Sequence, residues 1–328
     1  MFTQRSNEMI ELSVIIPMYN SEFTIEKCIN SIGNRKDIEI ILIDDGSTDK
    51  TADLCRTYCS RDNVKYIFQA NSGPGAARNN GLINSSGNYV MFLDSDDYLD
   101  TTVLENIVEN TLKLSYDLIY YNFDQVTEEN LVIKSYDLSV FHGCTKEDLV
   151  NYTLSGRLPW GQFKIIKRDI LLKDNIRFEE QVTNFEELLF TLKCIEGSSK
   201  IFFVKEGLYN YYKRKGSVST TITWEKVYDS GKYMADVLLD YYGEVNLGIN
   251  NFVLLTSIQT MRFLAEQSKD NSGYKIYKSK LQKKIRGLLN CTDDKFYDNR
   301  YKMIYNLLKF RMDYIAFTGL KIVTSKEK

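Results

Sequence analysis

Between residues 13 and 94 the chain alternates short, uninterrupted apolar runs with longer stretches whose apolar residues recur near helical spacing. The runs are SVIIPMY (13–19), IEIILID (38–44), VKYIFQ (64–69) and YVMFLD (89–94), and SEFTIEKCINSI, TDKTADLCRTYC and AARNNGLINS lie between them. Strands alternating with helices of this length predict parallel pairing through right-handed crossovers. Runs without polar alternation predict strands covered on both faces. The fold class is therefore α/β, an open, mostly parallel sheet flanked by helices. Past residue 115 the rhythm loosens: DLIYYNF, LVIKSY and IFFVKEGLYNYYK read as strands, KEDLVNYTL and FEELLFTLKCI as helices. Beyond about 220 the pattern is mainly helical, through YMADVLLDYY, FVLLTSIQTMRFLAE, IYKSKLQKKIRGLLN and YKMIYNLLKFRMDYIAF. The expected division is 1–219, with sides 11–114 and 115–219, and a helical domain over 220–328.

Composition fits a globular protein of 328 residues, with 43% hydrophobic and 26% charged residues. The net charge of −2 conceals an asymmetry. Residues 1–219 carry 24 Lys and Arg against 32 Asp and Glu; residues 220–328 carry 18 against 12. The two parts are thus expected to meet different surroundings. The six cysteines lack framework spacing, and His142 is the single histidine, so a Cys/His zinc site is disfavoured. Reduced thiols of a cytosolic protein are the plainer expectation. The opening MFTQRSNEMIE has no apolar signal core, and no apolar run reaches spanning length, which predicts neither that secretion route nor a membrane span.

The chemistry gathers where strands end, the edge at which open α/β sheets bind ligands. The first run ends in Pro17, Tyr19 and Asn20, the second in Asp44-Asp45-Gly46-Ser47, the fourth in Asp94-Ser95-Asp96-Asp97. Asp45 suits turn chemistry, and equally suits accepting the N3–H of a uracil ring beside Pro17 and Tyr19. NSGPGAARNN (71–80) matches neither glycine-rich phosphate signature, yet Arg78 has the geometry for an anion. Asp97 and Asp100 fit the turn and cap of a helix starting near Thr101. Asp94 and Asp96 are better explained by one hard cation, Mn2+ or Mg2+, shared with a diphosphate. Glu186 and Glu187 open an apolar helical pattern; they suit a helix N-terminus and equally a general base. KRKGSVSTT (213–221) is either a solvated basic turn or a lid over a departing diphosphate.

Taken in order, VIIPMYN, IDDGSTD, NSGPGAARNNGL, YVMFLDSDDYLD, Trp160 with FKIIKRDIL, FEELLF and KRKGSVST resemble glycosyltransferase family 2, over roughly residues 11–220. The resemblance implies a GT-A fold and inverting transfer of one sugar from a nucleoside diphosphate sugar, most often a UDP-sugar. It implies that Pro17, Tyr19 and Asp45 hold the nucleoside, that Arg78 and Ser95 lie by the nucleotide, and that Asp94 and Asp96 form the D-x-D pair with Asp96 the direct metal ligand. The family's acid pair is usually Glu-Asp with the second as base, which points to Glu187, with Glu186 as fallback. Arg214, Ser217 and Ser219 resemble the loop that closes over the diphosphate, and Trp160 stands where an aromatic flanks the acceptor or fills the core. Processive members carry Q-x-x-R-W and membrane helices, both missing here, so single additions to a glycan or lipid-linked acceptor, as in capsule or cell-wall assembly, are expected.

The helical tail lies outside the resemblance. Its basic, aromatic-rich segments Lys275–Arg286 and Tyr301–Lys321 suit an anionic membrane surface or a packing, oligomerising helix. The setting expected is cytoplasmic, at the inner face of the membrane if the first holds. Competing readings are a nucleotidyltransferase, whose N-terminal phosphate loop VIIPMYN does not supply, and a non-catalytic nucleotide-sugar-binding protein. An acidic site and a tail without a recognisable motif disfavour nucleic acid.

Overall fold

The computed structural model describes residues 9–181, 185–213, 223–268, 272–293, 295, 297 and 299–325. The chain divides into two compact units: Met1–Cys144 with Gly161–Lys215, and Thr145–Trp160 with Gly216–Lys328.

In the first unit the four apolar runs are strands β1 (Leu12–Met18), β2 (Ile38–Asp44), β3 (Val64–Phe68) and β4 (Tyr89–Phe92). β1, β2 and β4 are buried along their whole length, as continuous apolar runs require. Between them run α1 (Ile25–Ile32), α2 (Thr51–Tyr58) and α3 (Pro74–Ile83). α1 buries Ile25, Cys28, Ile29 and Ile32, a stripe at helical spacing. β5 (Tyr98–Leu99), α4 (Thr101–Asn106), β6 (Leu118–Val126), β7 (Val132–Tyr136), β8 (Lys164–Lys167), α6 (Arg168–Lys173), α7 (Glu186–Gly197) and β9 (Ile201–Tyr212) complete the unit, while α5 (Lys146–Leu154) belongs to the second.

The sheet order is β3-β2-β1-β4-β8-β6-β9-β5, with β7 on β6. β1, β2, β3 and β4 pair in parallel, as crossovers dictate. The other half differs from the mostly parallel expectation: β8 is antiparallel to both β4 and β6, β5 to β9, and β7 to β6. β8 enters from the segment 145–160 rather than from a crossover helix on β4, so no rule fixes its direction. The result is a mixed sheet. α3 lies very close to it because of Gly81, where a Cβ would stand 2.2 Å from Ile15 Cγ2.

The second unit holds α5 and six further helices among the described residues: α8 (Trp224–Tyr242), α9 (Leu247–Gln267), α10 (Ser272–Lys280), α11 (Gln282–Leu288), α12 (Asn299–Lys309) and α13 (Asp313–Ser325). Thr223 and Asn246 cap α8 and α9 through their side-chain oxygens, and Gly243 ends α8 at φ 74°. α9 is central, contributing Leu254, Leu255, Ile258, Met261 and Leu264 to a core that also takes Tyr277, Ile285, Leu308 and Phe317. Two patterns read as single helices are each broken, at Leu281 and at 310–312. No described helix is long and apolar enough to cross a membrane.

Candidate active site

Three strand ends of the first unit are tied together by short polar side chains. Pro17 lies beyond the register that β1 shares with β4, which stops at Ile15, so its missing N–H breaks no pairing on that side. It is buried, whereas Tyr19 is half exposed. Asn20, left-handed at φ 50°, donates its backbone N–H to Ser47 Oγ and accepts from Thr48 N through Oδ1. Ser21 N donates to Thr51 Oγ1, and the Ser21 hydroxyl shares a 2.7 Å hydrogen bond with the Ser95 hydroxyl. The first and second loops and the Asp94 loop therefore form one framework.

Asp44, which the sequence reading did not single out, is fully buried and accepts from Ser47 N and the Tyr66 hydroxyl. Asp45 accepts from Gln69 Nε2 and Ser72 N on Oδ1 and from Gly73 N on Oδ2, each at 2.8 Å. The carboxylate expected to meet a uracil ring thus anchors the glycine-rich loop, leaving acceptor capacity chiefly on Oδ2. Gly46 and Gly73 supply the positive φ this arrangement needs.

Asp100 caps α4, accepting from Val103 N. Asp97, assigned by sequence to the same turn, also points into the protein: it is buried and accepts from the Tyr209 hydroxyl and from Tyr212 N at 2.7 Å. Burial first, then the charges of Asp94 and Asp96, hold its carboxyl well above the usual range. It joins the acidic loop to the end of β9.

The expectation for Arg78 was an anion near the nucleotide. Its guanidinium is buried among carboxylates, donating to Asp94 Oδ1 at 2.9 Å and standing 3.3 Å from Glu187 Oε1 and 3.6 Å from Glu186 Oε1. Its carbon also lies 5.3 Å from the centre of the Phe178 ring. Burial alone favours the neutral form, but Asp94, Glu187 and Glu186 outweigh it and raise the group above its ordinary value. One helix turn thereby holds a strand-end carboxylate and the acid pair of a distant helix.

That pair is placed by two devices. Asn79, next to Arg78, donates to Phe178 O and Glu180 Oε1 and accepts from Phe178 N, pinning the chain that leads towards α7. Phe185 then takes a left-handed conformation, φ 77°, immediately before α7 begins at Glu186. A bulky residue there is strained, as backbones at functional sites often are. The Glu186 side chain is 9% exposed and that of Glu187 20%. Burial, then the Glu187 charge, push Glu186 up to about 7 against the pull of Arg78. Lys164, buried in β8, donates to Gly161 O at 2.6 Å, and burial lowers it to about 8. The sequence reading missed it because a lysine between apolar residues reads as a snorkelling surface group.

Asp94, Ser95, Arg78, Glu186 and Glu187 are thus brought together in one unit. Trp160 is not: its indole donates to Thr153 O, and its ring packs near Phe252, in the core of the helical unit. Arg214, Ser217 and Ser219 lie outside the described residues.

Residues 13–173 match the Glycosyl transferase family 2 model. The chain is 28% identical over 243 residues to the uncharacterized glycosyltransferase EpsJ of Bacillus subtilis, covering 71% of this chain and 70% of that one. It is 29% identical over 309 residues to the cholesterol galactosyltransferase of Borreliella burgdorferi, covering 86% and 85%. Crystal structures of residues 1–349 of Staphylococcus aureus TarS, one in complex with UDP-GlcNAc, superpose at a TM-score of 0.61 with 20% identity, covering 97% of this chain and 92% of theirs. The GT-A fold expected from sequence is the fold these structures share with it.

Proposed function

We propose, for a chain that carries a family 2 glycosyltransferase domain over residues 13–173, inverting transfer of one sugar from a UDP-sugar to a hydroxyl of a glycan or lipid-linked acceptor. The observation that carries the reading is the Arg78 bridge, a buried guanidinium shared between Asp94 at a strand end and the acid pair Glu186–Glu187. Displacement at an anomeric carbon needs charge handling on both sides, a base for the incoming hydroxyl and compensation for the departing diphosphate. The acid pair supplies the base, and the carboxylates of the Asp94 loop would supply the compensation through a divalent cation held between them and the diphosphate.

Glu187 is the base, because it is the more exposed of the pair and so the one a hydroxyl reaches. It takes the hydroxyl proton as oxygen attacks the anomeric carbon and the bond to the diphosphate breaks. Glu186, pushed up to about 7, is largely protonated below neutrality, which limits repulsion between the neighbours. Tyr19 and the acceptor capacity left on Asp45 face the nucleoside. The UDP-GlcNAc seen with TarS supports uridine as the nucleoside.

Among the described residues no group of three or more His, Cys, Asp or Glu side chains could cage a metal. This donor set fits Mn2+ or Mg2+ taking few protein oxygens and the rest of its shell from phosphate and water. Asp96 and Asp94 would hold the ion, which when bound neutralises diphosphate charge. An acceptor of cell-wall or surface polysaccharide synthesis is supported by the poly(ribitol-phosphate) β-N-acetylglucosaminyltransferase TarS of Staphylococcus aureus, 29% identical over 242 residues, and a cytoplasmic setting belongs to the same proposal. Transfer or donor hydrolysis across a panel of nucleotide sugars with Mn2+ tests the proposal. UDP-sugars should be preferred, and turnover surviving in both Glu187→Gln and Glu186→Gln would refute the acid-pair assignment.

A further inference from the structure

Two clusters of exposed apolar side chains stand out among the described residues. One is Leu131, Val132 and Ile133 where β7 begins, with Glu128 and Glu129 just upstream of Asn130. The other is the turn between α12 and α13, where Phe310 is 75% exposed, Tyr314 51% and Ile315 50%, with Met312 close behind. Its neighbours Lys309 and Arg311 are basic and exposed. The surrounding segment 272–325 carries twelve Lys and Arg against four Asp. One of the four, Asp313, is buried and paired with Arg286, which leaves eleven basic residues against three aspartates in the segment.

The turn is built rather than loose. Phe310 N donates to Asn306 O, Arg311 N to Leu308 O and Met312 N to Leu307 O, the paired backbone bonds of a Schellman helix end. Its left-handed position, φ 60°, is occupied by Arg311. Glycine is the usual residue there, and a side chain adds a steric cost. A basic side chain kept at that cost, between two exposed apolar groups, indicates use. On the inner side Leu308, Ala316 and Phe317 sit in the core, so the display is fixed from below.

We propose that this turn docks the helical unit onto an anionic lipid bilayer, with Phe310, Met312 and Ile315 entering the interfacial layer and Lys309 and Arg311 meeting acidic headgroups. Charge decides the occupant: a second copy of the chain would bring Lys309 and Arg311 against their own kind, and a zwitterionic surface would not use them. The β7 cluster, with its acidic neighbours, has the wrong sign for the same partner. The inference rests on no reading of the sugar chemistry.

The test is co-sedimentation of the full chain with vesicles of phosphatidylcholine alone or with phosphatidylglycerol added. Binding is expected to the second only, and to be lost at high salt. Each basic residue near such a surface changes partitioning about fivefold, so Lys309→Gln with Arg311→Gln should lower it about 25-fold. Phe310→Ser with Ile315→Ser should lower it at least tenfold, with thermal unfolding unchanged because both side chains are exposed. Arg311→Gly keeps the turn and should cost about fivefold alone. The proposal is overturned by equal binding to neutral vesicles, by no binding to either, or by variants that bind like the parent. It is equally overturned if size exclusion shows a dimer that Phe310→Ser dissolves while vesicle binding is absent. Transfer to a water-soluble acceptor should be unchanged in all these variants, which separates this failure from failure of the enzymatic reading.

Discussion

Arg78 in the sheet unit and Arg286 in the helical unit both pair with an aspartate at 2.8–2.9 Å, yet their surroundings differ. The Arg78 side chain is 5% exposed and faces three carboxylates from two other elements. The Arg286 side chain is 42% exposed and, among the described residues, pairs with Asp313 alone. The second pair has one partner in water and one buried, the Asp313 side chain being 5% exposed, and it joins α11 to α13. A buried cluster of the first kind is costly to desolvate and is weak evidence for stability. Its persistence is better explained by what the three carboxylates do when assembled. Three carboxylates gather round one guanidinium where chemistry is proposed, and a single one where only folding is required.

The largest expected effect comes from breaking the buried side of this contrast. Arg78→Met leaves Asp94, Glu186 and Glu187 uncompensated and should destabilise the protein by about 3–5 kcal/mol. Urea unfolding measures this, and a loss below about 1 kcal/mol would mean that Arg78 behaves like one partner of an exposed ion pair. Glu187→Gln keeps shape and removes the base, so turnover should fall about 10²–10⁴-fold while unfolding changes little. A third comparison uses pH. Glu186 is raised from 4.5 to about 7 in the folded protein, so the native state holds its proton more tightly than the unfolded chain. Its contribution is therefore full below 4.5 and declines as pH rises to about 7. Glu186→Gln should flatten that part of the stability profile, and a profile identical to the parent's would contradict the burial argument. Smallest is Arg286→Ala, expected to cost about 1–3 kcal/mol by thermal unfolding, since Asp313 stays buried with the Tyr277 hydroxyl still donating to it.

How far the sequence alone carries the description differs between the two units and within the site. β1, β2, β3 and β4 are legible because a buried parallel strand must be apolar without interruption, and α5 and α7 because their apolar spacing is local. β8 and its antiparallel pairing are not, since four residues carry no direction of their own. The grouping of 145–160 with the C-terminal helices is likewise decided by packing among distant residues. Within the site, the types of Asp94, Asp96, Glu186 and Glu187 are visible as polar groups that interrupt apolar patterns. Their partners are not: Arg78 and Glu187 are joined by a fold that brings α3 against α7. Asp97 has partners in β9 that lie more than a hundred residues away. The breaks at Leu281 and Arg311 were missed because both lie inside unbroken helical spacing.

Gly81 touches no substrate and holds no charge, yet it sets how near α3 lies to Ile15 and Ile43. Arg78 is one turn earlier on the same helix, so the height of that helix above the sheet is also the reach of the guanidinium towards Asp94. Any side chain at 81 would lift the helix and lengthen three ionic contacts together. The dimension that calibrates this assembly is thus kept by a hydrogen atom. Drift at that position would be punished as a loss of alignment, well before it was felt as a loss of folding.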